Sequence, residues 1–280
     1  MQQVNSIAAL REQLALIRKT GKKIALVPTM GNLHQGHLSL VTKAQQYADY
    51  IVVSIFVNPS QFVAGEDFEH YPRTLDTDLE MLKVLDVDLV FIPQTKEVYP
   101  DNGHIKTEVT VPELDSIYCG EHRPGHFKGV ATVVTKLLNI VQPEVAVFGE
   151  KDFQQLLVIR RLVRDLNIPV EIVGASIVRE KDGLAMSSRN QYLTESERQQ
   201  AAKLFACLNS MAVTIKNGNK DYKLLENQAI KELKANGFKP EYVNVCDAET
   251  LKSPNNQNLV IIAAAWLGKA RLIDNVAVQT

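Results

Sequence analysis

Through its first two-thirds the chain alternates short, continuous apolar runs with longer stretches whose apolar positions recur about every 3.6 residues. The runs at 24–27, 50–57, 88–92, 144–148 and 170–173 predict strands, and the periodic stretches at 38–48, 74–85, 130–141 and 153–166 predict helices. Apolarity in the runs is continuous rather than alternating, so both faces of each strand are expected to be covered. The expectation is an α/β fold, a Rossmann-like parallel sheet with helices on both faces. Loops at the strand C-termini of such sheets converge on one edge, where ligands bind.

The pattern changes near Ser187. Thr194 and Glu197 form a capping-box pair that predicts a helix from 194 to 216, and a second helix fits 222–235, stopped at Asn236-Gly237. Short strands fit 242–245, 259–264 and 270–278. Two domains are expected: 1–185, a ligand-binding Rossmann-like domain, and 186–280, a smaller C-terminal α+β domain acting as a lid or dimer element.

The chemistry-bearing residues cluster in the predicted loops. Pro28 to Leu40 leaves the first strand run, turns through Gly31 and Gly36, and opens a helix with His34 and His37. A strand, a glycine turn and a helix start offer backbone N–H groups and a positive dipole end to a phosphate. The Gly31-x-x-x-x-Gly36 spacing imitates a phosphate loop, but His37-Leu38 stands where that loop needs lysine and a hydroxyl, and G-x-G-x-x-G is absent. What remains is H-x-G-H, which resembles the signature of the nucleotidyltransferase and class I aminoacyl-tRNA synthetase superfamily.

Five further segments follow the same logic. Asn58-Pro59-Ser60-Gln61 ends a buried run with Gln61 at the strand edge. Asp76 and Asp78 lie at a helix start, where acids are common for dipole reasons alone. The 120–130 segment combines Arg123, His122 and His126 with three glycines, so four of the six histidines sit in two glycine-rich loops. Arg123 there suits a bidentate clamp on an anion. Gly149-Glu150-Lys151-Asp152 ends another run, with Asp152 suited to cap the next helix and Lys151 suited to a phosphate. Val178 to Asn190 carries Ser187, Ser188 and Arg189 in a glycine-containing loop, either a closing loop or a linker between domains.

Composition narrows the class. At 280 residues and 45% hydrophobic the chain can bury a sizeable core. Thirty-one basic and 32 acidic residues leave a net charge of −1, so no global field attracts nucleic acid or an anionic membrane. Cys119, Cys207 and Cys246 are far apart and read as reduced structural thiols. The N-terminus lacks a signal-type apolar core, and the longest apolar stretch, Leu259 to Leu267, is far short of the roughly 20 residues that span a bilayer. A soluble, cytoplasmic protein is expected.

In order along the chain stand P-T-M-G-x-L-H-x-G-H, F-V-N-P-x-Q-F, Y-P-R-T, R-P-G-H-F-x-G-V, F-G-E-K-D-x-Q-Q and D-G-L-A-M-S-S-R-N. Between about Ile24 and Leu193 this series resembles the pantothenate synthetases. The resemblance implies ligation of pantoate to β-alanine through a pantoyl adenylate, with ATP as substrate, Mg2+ as companion ion, and AMP and pyrophosphate released. It also implies an ATP site lined by Met30, Gly31, Asn32, Leu33, His34, Gln35, Gly36, His37, Gly149, Glu150, Lys151, Asp152, Val178, Met186, Ser187, Ser188 and Arg189. His34, His37 and Lys151 are the implied catalytic residues, with His37 the proton donor to the departing phosphate. Gln61 and Gln155 would hold pantoate, and Asn58, Arg123 and His126 would shape its pocket. The magnesium ligand stays unknown, because some relatives have adjacent acids where this chain has Thr77-Asp78. A homodimer is implied by the family alone. Two rivals remain: a simple nucleotidyltransferase, which needs no Gln61 and Gln155 around a small acid, and a non-catalytic nucleotide-binding module, which need not keep His34, His37, Lys151 and Arg189.

Overall fold

The computed structural model describes residues 1–101, 105–255 and 257–279, and its chain divides into two compact units. The first comprises Met1–Glu150 and Gln155–Ser176, and the second Lys151–Gln154 and Ile177–Thr280. Asn256 and Thr280, which the expected 186–280 domain includes, lie outside the described residues.

The first unit is built on a six-stranded sheet among the described residues. Its strands are β1 (Gln2–Val4), β2 (Ile24–Thr29), β3 (Tyr50–Ile55), β4 (Leu89–Phe91), β5 (Val145–Gly149) and β6 (Glu171–Ala175). They are ordered β1-β4-β3-β2-β5-β6, with every pairing parallel. The helices are α1 (Ile7–Lys19), α2 (Gln35–Ala44), α3 (Leu75–Val84), α4 (Thr95–Val98), α5 (Pro112–Asp115), α6 (Cys119–His122), α7 (His126–Val141) and α8 (Phe153–Asp165). Alternate strand residues, among them Ala25, Val27, Val53, Val90 and Val147, form one core with Leu40, Val41 and Ala44 of α2 and Leu82 of α3. The opposite parity, Ile24, Leu26, Val52, Leu89, Phe91 and Ala146, is buried as well. Both faces are covered, as continuous apolarity requires.

From β2 the chain steps to β3 on one side and later returns to β5 on the other. This reversal opens a crevice at the C-terminal ends of β2 and β5, the usual ligand position in doubly wound sheets. Pro28 helps to shape it. The strand runs two residues past the predicted end, and Pro28 pairs with Ser54 of β3. Glu144 N–H donates to the Ile24 carbonyl, so Ile24 and, by period two, Leu26 and Pro28 aim their ladder groups toward β5. Pairing with β5 stops at Leu26, and the N–H that proline lacks has no ladder partner to lose there.

The second unit carries α9 (Glu195–Ala201), α10 (Lys203–Lys216) and α11 (Tyr222–Ala235) against an antiparallel sheet of β7 (Lys239–Asp247), β8 (Asn258–Leu267) and β9 (Ala270–Gln279). Leu204, Leu208, Met211, Leu233, Val243, Ile261 and Ala263 form its core. The long apolar stretch is thus the central strand β8. The predicted capping box is present: Thr194 accepts from Glu197 N–H, and Glu197 accepts from Thr194 N–H at 2.8 Å. The predicted single helix is interrupted at Ala202, whose ψ of −20° tightens the turn between α9 and α10.

No disulfide forms among the described residues. Cys119, Cys207 and Cys246 are buried thiols, and burial pushes the Cys207 thiol up to about 12. Among the described residues no helix is long and apolar enough to cross a membrane.

Candidate active site

At the end of β2 two residues in a row adopt left-handed backbone, Gly31 at φ 79° and Asn32 at φ 50°. Successive left-handed residues turn neighbouring N–H groups toward one point, and here that point is a carboxylate of the protein itself. Asp78 of α3, only 1% exposed, accepts from Asn32 N–H at 2.9 Å and Leu33 N–H at 2.8 Å, and Thr74 Oγ1 donates to it at 3.1 Å. A Cβ on Gly31 would stand 3.0 Å from Asp78 Oδ2. The expectation that this turn offers its N–H groups to a phosphate is therefore corrected at Asn32 and Leu33, whose donors bind Asp78.

The helix start that follows is capped by imidazoles. His34 is the N-cap of α2 in extended backbone, and its Nδ1 accepts from Gly36 N–H at 3.1 Å. His37 Nδ1 accepts from His34 N–H at 3.3 Å, a capping box written in histidine, and the ring centroids lie 4.1 Å apart. A backbone N–H only donates, so both Nδ1 atoms are acceptors and each neutral ring carries its proton on Nε2. These rings do more than sit in a loop. His34 takes part in folding α2.

Beyond β3, residues Pro59–Gln61 form a single 3-10 turn whose N-cap is Asn58, 1% exposed. Asn58 Oδ1 accepts from Ser60 Oγ at 3.0 Å and Tyr99 OH at 2.9 Å. Burial pushes the Tyr99 phenol above its ordinary value, which keeps it a protonated donor. Asn58 Nδ2 donates to Gln61 Oε1 at 3.1 Å and to the Gly129 carbonyl at 3.3 Å. This fixes the amide of Gln61 with Nε2 3.1 Å from Met30 Sδ, the residue that leads into the histidine turn. Gly129 lets α7 approach, since a Cβ there would lie 2.1 Å from the Ser60 carbonyl oxygen. The Arg123 guanidinium is committed within the protein: it is paired with Glu66 and lies 2.9 Å from His126 Nε2. The bidentate clamp expected of Arg123 is thus made on Glu66. His126 is buried, whereas His122 is exposed at the end of α6.

β5 ends at Gly149, and Glu150, Lys151 and Asp152 form a 3-10 turn that runs directly into α8, which carries Gln155. Asp152 is therefore already helical rather than an extended N-cap, which corrects the capping expectation. In the second unit, residues 178–186 fold back on themselves. Met186 N–H donates to the Val178 carbonyl at 3.0 Å, and Glu180 N–H to that of Leu184 at 2.8 Å. Arg179 holds this hairpin through the Gly183 carbonyl at 3.1 Å, stacks 3.7 Å over Phe205, and pairs bidentately with the buried Asp274 at 2.6 and 2.9 Å. Arg198 grips Glu180 and Asp182 and holds the Asp182 carboxyl below its ordinary value. Ser187 caps the 3-10 turn Ser188–Tyr192 and accepts from Arg189 N–H at 3.3 Å. Asn275 Nδ2 donates to the Lys151 carbonyl at 3.0 Å, tying the lysine turn to β9.

Asp274 and Asn275 were missed because their partners lie 95 and 124 positions away.

A family model for pantoate-beta-alanine ligase matches residues 2–277. The chain belongs to the pantoate-beta-alanine ligase family. A pantothenate synthetase of Pseudomonas entomophila is 52% identical over 278 residues, covering 99% of this chain and 97% of its own. The crystal structure of the Thermus thermophilus pantothenate synthetase aligns with a TM-score of 0.91 at 43% identity, covering 99% of both chains. A pantoate-beta-alanine ligase of Francisella tularensis, solved with a β,γ-ATP compound and β-alanine, aligns with a TM-score of 0.78 at 37% identity, over 99% of this chain and 97% of that one.

Family membership raises the question of a resident magnesium site. The side chain at 77 is a threonine, both Asp78 oxygens are taken by the turn, and no group of three metal-type ligands occurs among the described residues. These residues do not fit a protein-held cation cage, which needs several oxygen ligands around the metal.

Proposed function

We propose that this pantoate-beta-alanine ligase family member is an ATP-dependent ligase that joins (R)-pantoate to β-alanine through a pantoyl adenylate. A pantoate carboxylate oxygen attacks the α-phosphorus of ATP, the bond to the β-phosphate breaks, and pyrophosphate leaves. The β-alanine amine then attacks the acyl carbon, loses a proton and expels AMP, giving pantothenate. Such a route asks little covalent chemistry of the protein. It asks for alignment, charge neutralisation and exclusion of water.

The observation that carries this reading is the 3.1 Å contact of Gln61 Nε2 with Met30 Sδ. It sets an amide suited to the hydroxyls and carboxylate of a small acid beside the turn that presents His34 and His37. In the first unit, Met30, Gly31, Asn32, Leu33, His34, Gln35, Gly36 and His37 serve ATP together with Gly149 and Glu150, while Gln61 and Gln155 serve pantoate. In the second, Lys151 serves the phosphates, Asp152 the ribose, Val178 the adenine through its backbone, and Met186, Ser187, Ser188 and Arg189 the triphosphate.

The proposed role of His37 is that of a neutral hydrogen-bond donor through Nε2, rather than an acid that gives up a proton, because a cap bond occupies Nδ1. Magnesium belongs to the substrate, as the MgATP complex. A soluble cytoplasmic enzyme working as a homodimer completes the reading.

Product analysis tests it. With ATP, pantoate and β-alanine the products should be AMP, pyrophosphate and pantothenate, and oxygen-18 from the pantoate carboxylate should appear in AMP. Pantoate alone should support exchange of labelled pyrophosphate into ATP. ADP and orthophosphate as products would overturn the adenylate route, and AMP transfer without an amide product would favour a simple nucleotidyltransferase.

A further inference from the structure

We propose that His126, Arg123 and Glu66 are positioning residues that set the acid-binding amide of Gln61 by gripping its main-chain carbonyl. The inference rests on the reading of Gln61 given above. His126 Nδ1 lies 2.7 Å from the Gln61 carbonyl oxygen, and Arg123 donates to the same oxygen at 3.4 Å. A carbonyl only accepts, so His126 Nδ1 carries the proton. On the opposite edge of the ring, Nε2 faces Arg123 at 2.9 Å, and a guanidinium only donates, so Nε2 accepts. One neutral tautomer of His126 satisfies both ends.

Glu66 makes that arrangement stable. It pairs with Arg123 through both oxygens, and its Oε2 accepts from Val63 N–H at 3.1 Å, two residues beyond Gln61. The Arg123 and Glu66 side chains are only 12% and 17% exposed, so their attraction is weakly screened and their geometry closely set. The Gln61 residue is therefore held at two points. His126 and Arg123 grip its backbone, while Asn58 holds its side-chain oxygen. The close pass of Gly129 under Ser60 removes the space in which the turn might slide. None of the three charged or titratable groups needs to touch substrate. They act through Gln61.

The test compares KM for pantoate with KM for ATP in variants of the full chain, with thermal melting as a fold control. A displacement of about 1 Å in a positioning group is worth about 10²-fold. His126→Ala should raise the pantoate KM about 10- to 100-fold and leave the ATP KM within about twofold. His126→Asn, whose amide nitrogen can donate from the Nδ1 position, should recover most of the loss. Glu66→Gln, which does not touch Gln61, should show the same split at smaller amplitude, and it decides the matter if His126→Ala fails to fold.

Gln61→Ala is measured alongside. His126→Ala on the Gln61→Ala background should add almost nothing to the pantoate KM, because a positioning residue has nothing left to position. Equal losses for both substrates, additive effects in the double variant, or an unchanged pantoate KM in the His126 and Glu66 variants would each overturn the inference while the role of Gln61 stands. If Gln61→Ala itself leaves the pantoate KM unchanged, the reading of the acid site fails, and this inference fails with it.

Discussion

Asp78 offers the most direct way to separate a turn-holding carboxylate from a metal ligand. It accepts two main-chain N–H groups, at 2.9 and 2.8 Å, from a turn whose first two residues are left-handed. Hydrogen bonds to a charged group contribute about 1.5–3 kcal/mol each, and alanine would leave two donors without that partner. The two bonds alone give roughly 3–6 kcal/mol, and water reaching the half-exposed Asn32 brings the expected loss for Asp78→Ala toward about 3 kcal/mol. Total stability is about 5–15 kcal/mol, so the change should be plain. At about 2–4 °C per kcal/mol for a unit of this size, melting should fall by roughly 6–12 °C. Turnover should drop by about 10²-fold as the histidine turn relaxes. Asp78→Asn keeps one acceptor oxygen but turns an NH2 group toward a backbone donor, so it should show an intermediate loss that added magnesium does not repair. Thermal melting and steady-state turnover across a magnesium series measure both effects. An Asp78→Ala variant melting within about 2 °C of the parent, or an Asp78→Asn variant rescued by magnesium, would refute the reasoning.

His34→Ala should lose both the cap of α2, about 1 kcal/mol, and about 10²–10⁴-fold in turnover, whereas His34→Asn should regain the melting temperature but not the rate. Melting and kcat on the pair check this, and a His34→Asn variant with normal turnover would remove the imidazole from the chemistry. Gln155→Ala should weaken pantoate by about 1–3 kcal/mol while leaving ATP nearly unaffected, measured by calorimetric titration of each ligand. Gly129→Ala should unfold or loosen the first unit, because its Cβ would lie 2.1 Å from a backbone oxygen that cannot swing away; a melting temperature equal to the parent's would contradict that contact.

The fold was legible where hydrophobic pattern dictates it. The runs at 50–57 and 144–148 became β3 and β5 because a strand buried on both faces must be apolar throughout. β1 escaped notice because it is three residues at a sheet edge, with Gln2 and Gln3 exposed. The helices α4, α5 and α6 span four residues each, too short for a 3.6-residue period to show. Capping at Thr194 was readable because its partner is three residues away.

The motif loops were equally visible, but their internal wiring was not. Asp78 reaches back 46 positions to Asn32, Arg123 reaches 57 to Glu66, and Arg179 reaches 95 to Asp274. A sequence shows which residue types are present in a loop. It does not show which of them are already used by a distant partner, and that is why Arg123 reads as a clamp for an anion without showing that the anion is Glu66.

That wiring also resolves an apparent conflict in the electrostatics. Loops proposed to take a polyphosphate should avoid carboxylates, yet Asp78, Glu66 and Asp274 are all buried or nearly so in or against the motif segments. Each is met by donors from its own unit: two backbone N–H groups for Asp78, and an arginine apiece for Glu66 and Asp274. An arginine cancels the charge of Glu66 and of Asp274, whereas N–H dipoles stabilise the charge of Asp78 without cancelling it, and each carboxylate fixes the atoms that bind it. Catalysis by alignment depends on donors that do not reorganise when charge develops, so rigid turns are worth more than additional cations. Under the proposed function the protein's own anions hold the turns that would take a more highly charged one, and removing them should loosen those turns before it relieves any repulsion.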